Sequence, residues 1–239
     1  MSEPAPAQLA ALVESLGLEP SPPVPCPYLA GRHSRIVAVR PERLSAPLYQ
    51  SFMELNFRRL GDVLYRQACD GCRECRQLRV RVADFRPSRA QRRCWRRNTD
   101  VTVELRPPRP ASESYEVYRR YLLARHDGQM SGSREEFLEF LQSVTPFTEE
   151  IVFRVAAGLL GVGIFDATPL ALSAVYFYFD PAFARRSPGI YHVLWLIEEC
   201  SRRGLPWLYL GYRVAGCAAM EYKAAFRPHQ ILGPDGGWS

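Results

Sequence analysis

The sequence predicts an α+β fold with a mixed, mostly antiparallel sheet. Three consecutive stretches with apolar alternation, at 151–156, 159–167 and 170–179, have the pattern of neighbouring strands. Stretches with helical periodicity precede and follow them, at 134–144 and 188–204. The 239 residues are 47% hydrophobic and 23% charged, which is typical of a folded globular protein. Strands and helices therefore share a chain long enough for one large or two ordinary domains.

Proline and glycine separate the elements predicted in the first part of the chain. An amphipathic helix at 7–18 ends at the proline-rich stretch PSPPVPCPYLAGR. A strand is predicted at 35–39, and the stretch from 44 to 61 is predicted to be one helix, closed by its final glycine. The loop CDGCREC lies between that helix and a strand at 78–85, and FRPSRAQRRCWRRN follows as a short helix. We therefore expect ordered elements on both sides of the cysteine loop.

The second part of the chain reads strand, helix, helix, three strands, helix, strand, helix. It starts with a strand at 101–106 and a helix at 113–126, and it ends with a helix at 217–226. This is the order of the GNAT acyltransferase fold, whose sheet opens at its centre toward an acyl donor. A coenzyme A enzyme of that fold needs a glycine-rich loop before the helix at 188–204, where backbone amides meet the pyrophosphate. The sequence there, FARRSPGIY, has one glycine and two arginines. We therefore expect an anionic donor other than coenzyme A.

Positive charge is concentrated in the first part of the chain. Residues 1–100 hold 17 arginines against 10 acidic residues, whereas residues 101–239 carry a net charge of −1. We predict a cysteine-containing, arginine-rich α+β region over 1–100 and a GNAT-like transferase domain over 101–239. Six arginines surround Trp95 in the short helix, a density that suits contacts with nucleic-acid phosphates. The alternative is an ordinary solvated helix.

Targeting signals and cysteine usage indicate the compartment. No apolar run reaches the roughly 20 residues that span a bilayer, and the acidic start has no basic segment followed by an apolar core. We therefore expect a cytoplasmic protein. Seven cysteines in a reducing compartment indicate metal-binding or reactive chemistry before a disulfide framework.

Several long motifs resemble a known family. They are CPYLAGR, FRRLGDVLYRQACDGCRECRQLRVRVADFRPSRAQRRCWRRN, LSAVYFYFDP, GIY and GLPWLYLGYRVAGCAAMEYKAAFRP. In order and in register over about residues 24–232, they resemble the bacterial aspartate/glutamate leucyltransferases, relatives of the eukaryotic arginyl-tRNA–protein transferases. That family has a GNAT-like C-terminal part, in agreement with the element order.

The resemblance implies an aminoacyltransferase. Its reaction would move leucine from Leu-tRNA to the N-terminal α-amino group of proteins beginning with Asp or Glu, which marks them for degradation through the N-degron pathway. The partners would then be charged tRNA and those proteins, with no membrane and no DNA. Two alternatives stay open: the same reaction with Arg-tRNA as the donor, and a non-catalytic, metal-stabilised nucleic-acid-binding protein.

Transfer from an aminoacyl ester makes modest chemical demands. The acceptor amine has a pKa of about 7.7–8 and must lose a proton before it attacks the ester carbonyl. Because the ester is already activated, the step needs no covalent nucleophile, metal or cofactor. Asp180, at the end of the strand 170–179, is the predicted proton acceptor, or holds the ammonium, and Tyr176 on the same strand is predicted to share the catalytic site as an oxyanion donor or a stacking ring. The alternative for Asp180 is a simple Asp-Pro turn.

Binding residues follow from the same chemistry. Tyrosine rings can stack on the terminal adenosine and cations can contact phosphates, so the predicted donor and tRNA contacts are Tyr191, Tyr212, Lys223, Arg92, Arg93 and Arg96. Lys223 is the single lysine of the chain. The acidic side chain of the acceptor requires a cation, ideally arginine, and the candidates are Arg58, Arg59 and Arg213. His192, near these motifs, is predicted to be structural.

The cysteine loop is predicted to hold a metal centre. Its three thiols, together with a fourth from the extended proline-rich stretch, complete the number that zinc or an iron–sulfur cluster requires. By resemblance, the eukaryotic relatives use their N-terminal cysteines for such a cluster. The predicted ligands are Cys26, Cys69, Cys72 and Cys75, with an iron–sulfur cluster favoured over zinc. The centre would support the fold or sense redox state, at a distance from the transfer site.

Overall fold

The computed structural model describes residues 6–125, 132–142 and 145–239. Within these ranges the α-helices are α1 (Pro6–Ser15), α2 (Ala46–Glu54), α3 (Arg89–Arg97), α4 (Ser112–Arg125), α5 (Arg134–Gln142), α6 (Pro188–Arg202) and α7 (Ala218–Glu221). Short 3₁₀ turns lie at Val82–Asp84, Pro181–Arg186 and Tyr222–Ala225. The last residue of the predicted helix at 113–126 and the last two of the one at 134–144 lie outside the described ranges.

The described strands form three sheets. β1 (Val24–Pro25) and β2 (His33–Ser34) make a small hairpin, and a three-stranded sheet has the order β3 (Ile36–Val39), β5 (Val63–Gln67), β4 (Arg58–Leu60). The main sheet has seven strands in the order β12-β6-β11-β10-β9-β8-β7. Its strands are β6 (Arg76–Arg81), β7 (Thr102–Arg106), β8 (Thr148–Val155), β9 (Gly158–Ala167), β10 (Ala171–Phe179), β11 (Trp207–Arg213) and β12 (His229–Ile231).

The main sheet is antiparallel except at one position, where β10 and β11 run parallel. This arrangement and the order β7-α4-α5-β8-β9-β10-α6-β11-α7 confirm the predicted α+β, GNAT-like fold. The main sheet draws on both predicted regions, because β6, from the first hundred residues, pairs with β11 from the second part. The predicted division of the chain into two regions at residue 100 therefore stays a prediction.

Helices cover both faces of the main sheet. α6 packs on one face through apolar residues such as Leu194, Leu196 and Ile197, and α3 lies against α6. On the other face, α4 covers β8, β9 and β10 through Val117 and Tyr118. The three-stranded sheet, α1 and α2 cover the rest of that face, beside Ala171 and Tyr209. Within the described part of the chain, no helix is long and apolar enough to span a membrane.

The prediction of one helix from residue 44 to residue 61 was wrong. The helix begins as expected, because the Ser45 hydroxyl accepts a hydrogen bond from the Leu48 amide. It ends at Glu54, because Asn56 turns the chain with a left-handed backbone angle of φ 66°. The Phe57 amide donates to the Phe52 carbonyl at 3.0 Å and caps the helix end. The arginines that follow therefore lie on strand β4, not on a helix.

Buried polar contacts fasten the three-stranded sheet and α2 to the main sheet. The Arg59 guanidinium forms a two-pronged ion pair with Asp166 on β9, at 2.7 and 2.8 Å. The Glu54 carboxylate accepts hydrogen bonds from Trp238 Nε1 at 2.6 Å and from the Tyr209 hydroxyl. Arg79 lies between the rings of two tryptophans, Trp207 and Trp238, with its guanidinium carbon 3.9 Å from each ring centre. These contacts set the position of β4 over the centre of the main sheet.

Candidate active site

The main sheet opens at its single parallel pairing. β10 and β11 pair only over residues 171–173 and 207–209, after which β10 continues along β9 and β11 along β6. Both strands are irregular where they separate: the register shifts between Ala174 and Tyr176 in β10 and between Tyr209 and Gly211 in β11. β-Bulges of this kind bend a strand and release its ladder hydrogen bonds. We call the opening between the diverging halves of β10 and β11 the strand cleft.

Arg58 reaches from β4 into the strand cleft. Its Nη2 donates to the carbonyls of Ala174 and Val175, at 3.3 and 3.4 Å, two β10 carbonyls that a neighbouring strand would otherwise satisfy. The guanidinium lies against Gly211, where an added Cβ would come within 1.4 Å of Nη1. Gly211 also has φ 73°, in the left-handed region that favours glycine. Any side chain at position 211 would therefore occupy the space of the Arg58 guanidinium, so glycine is required there for Arg58 to enter the cleft.

The surroundings of Arg58 are aromatic. Its electrostatic neighbours are the tyrosines Tyr28, Tyr49, Tyr65 and Tyr212. Among the described residues, no carboxylate forms an ion pair with Arg58, and hydrogen-bond partners are found for Nη2 but not for Nε or Nη1. A half-buried guanidinium with spare donors and no carboxylate is suited to bind an anion from outside the chain.

Lys223 also points at this part of β11. Its side chain is 8% exposed, and Nζ donates to the carbonyl of Tyr212, at 2.7 Å. Burial, together with the positive charge of Arg58, lowers the pKa of Lys223 to about 7. Arg58 and Lys223 thus approach consecutive residues of β11, Gly211 and Tyr212. The structure brings together three of the predicted site residues here: Arg58, Tyr212 and Lys223.

Arg59, the neighbour of Arg58, points into the protein. Besides its ion pair with Asp166, it donates to the Thr148 hydroxyl at 3.1 Å and to the Gly61 carbonyl at 2.6 Å. Its side chain is 3% exposed and that of Asp166 is 0% exposed. Because this guanidinium is paired with a buried carboxylate, the role that the structure gives Arg59 is to attach β4 to β9.

Tyr176 lies on the part of β10 that borders the strand cleft, and Asp180 directly follows the end of that strand. Asp180 caps the 3₁₀ turn that follows, by accepting from the Ala182 amide at 3.0 Å. It also receives a hydrogen bond from Arg120 Nη2 on α4 at 2.6 Å. The Tyr176 ring packs against Tyr118 and Tyr178, with ring centres 6.2 and 6.3 Å away. Burial raises the pKa of Tyr176, so the phenol stays protonated at neutral pH.

Two predicted site residues lie away from this group. Tyr191 is 5% exposed and packs in the core, 5.4 Å from Trp95 and 5.5 Å from Phe153 between ring centres. Arg213 lies close to His229. Burial lowers the pKa of the His229 imidazole most, a hydrogen bond with the Phe226 backbone raises it, and the positive charges of Arg227 and Arg213 lower it further. Because side chains alternate along a strand, Arg213 and Tyr212 face opposite sides of β11. His192 is buried against Phe177, 4.3 Å between ring centres, and burial lowers its pKa to about 3.

The arginine-rich helix α3 presents a basic surface. A capping box formed by Ser88 and Gln91 starts the helix, and Gln91 and Cys94 face the core. The side chains on its other faces are exposed and include Arg89, Arg92, Arg93, Arg96 and Arg97. Within the described ranges, none of these arginines forms an ion pair with a carboxylate. The surface is therefore free to meet phosphates.

The geometry does not support the predicted metal centre. Burial raises the pKa of the Cys75 thiol to about 12, and the nearby Cys69, Cys26 and Cys72 add to the effect, so the four thiols share one neighbourhood. However, no group of three or more Cys, His, Asp or Glu side chains in the described ranges is arranged to hold a metal ion. Cys69 turns to the Arg35 amide at 3.4 Å, and Cys75 packs in an apolar cluster. The expectation of zinc or an iron–sulfur cluster at these thiols is corrected accordingly.

One residue of the sequence, Gly211, could have indicated this site before the structure was known. A glycine inside a predicted strand indicates a bulge or a close backbone approach, and Gly211 lies in the middle of the strand WLYLGYR. Arg120, the ion-pair partner of Asp180, had no such signal, because only the packing of α4 places it there.

Comparisons with known proteins find relatives that match most of the chain. A family model described as "Arginine-tRNA-protein transferase, C terminus" matches residues 113–233, and its N-terminal counterpart matches residues 24–93. A protein of Alcanivorax borkumensis named aspartate/glutamate leucyltransferase is 43% identical over 216 residues, which covers 89% of each chain. A protein of the same name from Pseudomonas aeruginosa is 41% identical, covering 88% of this chain and 91% of that one. The crystal structure of FemX shares the fold, with a TM-score of 0.51, 9% identity and coverage of 91% of this chain and 73% of that chain.

Proposed function

The chain belongs to the arginine-tRNA-protein transferase family, and on this premise we propose that it transfers leucine from Leu-tRNA to proteins that begin with Asp or Glu. The products are a new peptide bond at the acceptor's N-terminus and a free tRNA. Leucine at the N-terminus then directs the protein to the N-degron degradation pathway. The reaction takes place in the cytoplasm, where charged tRNA is available.

The observation that carries the proposal is the cation in the strand cleft. Arg58 is half-buried, its guanidinium keeps donors free of described partners, and the chain supplies no described carboxylate for it. The side chain of an N-terminal Asp or Glu supplies that carboxylate, and guanidinium binds carboxylate with paired hydrogen bonds. Arg58 is therefore our choice among the three candidate arginines for recognising the acceptor.

The donor tRNA is held along α3. Its exposed arginines meet the phosphate backbone, and Trp95 on the same helix, 36% exposed, offers a ring on which a base can stack. Tyr191 lies beneath Trp95 and supports it at 5.4 Å. The diverging strands then receive the 3′ end with its aminoacyl ester.

The α3 surface leads to a prediction about salt. In a variant combining Arg92→Ala, Arg93→Ala and Arg96→Ala, the plot of log affinity for tRNA against log salt concentration is expected to become shallower by about 2 to 3, because each phosphate contact contributes roughly 0.7 to 0.9 to the slope. The measurement is the affinity for tRNA at salt concentrations from about 50 to 200 mM. The matched control is Arg119→Ala, which removes an exposed arginine of α4 that lies 3.9 Å from Glu116. An unchanged slope in the triple variant would remove α3 from the tRNA interface.

A transfer assay tests the proposed function. Purified protein is mixed with labelled Leu-tRNA or Arg-tRNA and with peptides that begin with Asp, Glu, Lys or Ala. We expect label from Leu-tRNA on the Asp and Glu peptides, with the Lys and Ala peptides at background. Label from Arg-tRNA alone would transfer the proposal to the arginyl donor. No label on the Asp and Glu peptides from either donor would refute the aminoacyl transfer itself.

A further inference from the structure

Lys223 has features that a phosphate contact would not require. It is the single lysine among 31 basic residues, it is 8% exposed, and it belongs to the short turn Tyr222–Ala225. Nζ donates to the Tyr212 carbonyl at 2.7 Å. No described carboxylate forms an ion pair with it. An amine that is buried beside a guanidinium, without a carboxylate, is pressed toward its neutral form, and a neutral amine is a base.

The position of Lys223 relative to the acceptor follows from β11. Arg58 touches Gly211, and Lys223 binds the carbonyl of the next residue, Tyr212. In an N-terminal Asp, only two carbons, Cβ and Cα, separate the side-chain carboxylate from the α-nitrogen. A carboxylate held by Arg58 in the strand cleft therefore brings the α-ammonium close to the Lys223 side of β11.

The competing base is less well placed for proton transfer. Asp180 accepts hydrogen bonds from Arg120 at 2.6 Å and from the Ala182 amide at 3.0 Å. Together the two contacts engage both carboxylate oxygens, Oδ2 by the guanidinium and Oδ1 by the amide. Its oxygens already serve the turn after β10 and the attachment of α4.

We propose that Lys223 is the catalytic base that accepts the proton from the α-ammonium of the acceptor. This inference rests on the proposed function and identifies a residue for its chemical step. One proton passes from the ammonium to Nζ, and the freed nitrogen attacks the ester carbonyl carbon of the aminoacyl-tRNA. The new C–N bond forms as the C–O bond to the terminal ribose breaks. The second proton lost by the nitrogen goes to the departing ribose oxygen, and the proton on Lys223 returns to solvent.

The arrangement couples proton transfer to recognition. The charged and titratable groups that face Lys223 are Arg58 from β4 and Cys217 from the turn before α7. In the free enzyme, burial and the positive charge of Arg58 lower the pKa of Lys223 to about 7, so a large fraction of the amine is neutral at neutral pH. When the acceptor carboxylate neutralises Arg58, this repulsion falls and the proton affinity of Nζ rises. An acidic N-terminal residue therefore makes the base stronger as it binds, which an N-terminal Ala or Asn does not do.

A single lysine allows direct titration by NMR. Protein labelled with ¹³C at lysine Cε should give one lysine resonance. We expect it to titrate near pH 7, to shift to higher pH when an Asp peptide is added without tRNA, and to shift to higher pH in Arg58→Met. A resonance that titrates at the ordinary lysine pKa of about 10.4 in the free enzyme would overturn the inference, whatever the activity of any variant.

Kinetics supply the second test. Lys223→Met keeps the buried stem and removes the amine, and Lys223→Arg keeps a cation that cannot act as a base at neutral pH. Both are expected to lower kcat for an Asp peptide by about 10²- to 10⁴-fold and to abolish the rise of kcat/KM near pH 7. A peptide whose terminal nitrogen is a hydrazine, neutral at pH 7, should recover most of the lost rate in Lys223→Met, because it carries no ammonium proton that must be removed before the attack.

The outcomes separate this inference from the function on which it rests. If wild-type protein does not label Asp peptides, the proposed function fails. If wild-type protein labels them and Lys223→Met keeps the same pH–rate profile, or the hydrazine peptide is as slow as the Asp peptide, only the assignment of Lys223 fails. Asp180→Asn should retain the pH limb near 7 and lose thermal stability instead. A variant of Asp180 that loses this limb would make Asp180 the base.

Discussion

Replacing Arg58 with methionine is expected to lower kcat/KM for an Asp-initiated peptide by about 10²- to 10³-fold. Removing one partner of a buried, hydrogen-bonded charge pair costs about 2–5 kcal/mol, and each 1.4 kcal/mol is about a tenfold change. The loss should fall on the acceptor, because Arg58 lies in the strand cleft and not on the basic surface of α3. Affinity for Leu-tRNA should change little. Steady-state kinetics with varied peptide and saturating Leu-tRNA measure the effect.

The comparison of charged and neutral acceptors makes the test specific. Asn has the shape of Asp without its charge, so wild-type protein should strongly prefer the Asp peptide, and Arg58→Met should reduce that preference toward unity. A variant that merely distorted the fold would lower both rates and leave their ratio intact. The matched control is Arg213→Met, because Arg213, the last residue of β11, is the other half-buried candidate arginine. This variant should preserve the ratio. If Arg58→Met kept the Asp preference and Arg213→Met lost it, Arg213 would be the recognition residue.

The second large effect concerns stability and the neighbouring arginine. Arg59→Leu is expected to lower the free energy of unfolding by about 3–5 kcal/mol, because it leaves the carboxylate of Asp166 buried without its cation. For a chain of this size, that loss corresponds to a decrease in Tm of about 6 to 20 °C. Thermal and urea denaturation followed by circular dichroism measure it.

A double variant separates the cost of an orphaned charge from the value of the pair. Arg59→Leu combined with Asp166→Leu removes both charges, so it should regain part of the stability lost in Arg59→Leu alone. Arg40→Leu is the control, since Arg40 and Asp62 form an ion pair with both side chains more than 60% exposed and should contribute at most about 1 kcal/mol. Equal effects of Arg40→Leu and Arg59→Leu would contradict the proposed importance of burial.

Much of the fold could be predicted from local pattern. Apolar alternation located β8, β9 and β10, helical periodicity located α6, and their order indicated the GNAT-like topology. The helix predicted from residue 44 to residue 61 was wrong, because its apolar and basic residues suit a helix until the turn at Asn56 is known. The pairing of β4 with β5 that replaces the end of that helix depends on the main sheet beneath it.

The cysteine loop shows the limit of counting ligands. Four thiols at suitable spacings satisfied the number that a metal centre requires, and in the structure they do share a neighbourhood. Spacing along the chain does not fix the direction of the side chains. Cys69 points to Arg35, and Cys75 packs with aromatic residues such as Tyr65 and Tyr212. The geometry at these thiols is decided by the strands on either side of the loop.

The sequence by itself determined the class of protein, because its long motifs and the order of its elements are local properties that can be read from the residues alone. It also placed positive charge in the first hundred residues and one lysine near the end. Only the tertiary structure distinguished Arg58 from Arg59. Consecutive side chains of a strand face opposite sides, so β4 directs one guanidinium into the strand cleft and the other onto Asp166. The pairing of β11 with β6 and the contacts of β4 with β10 and β9 join residues more than a hundred positions apart in the sequence, which no local pattern encodes.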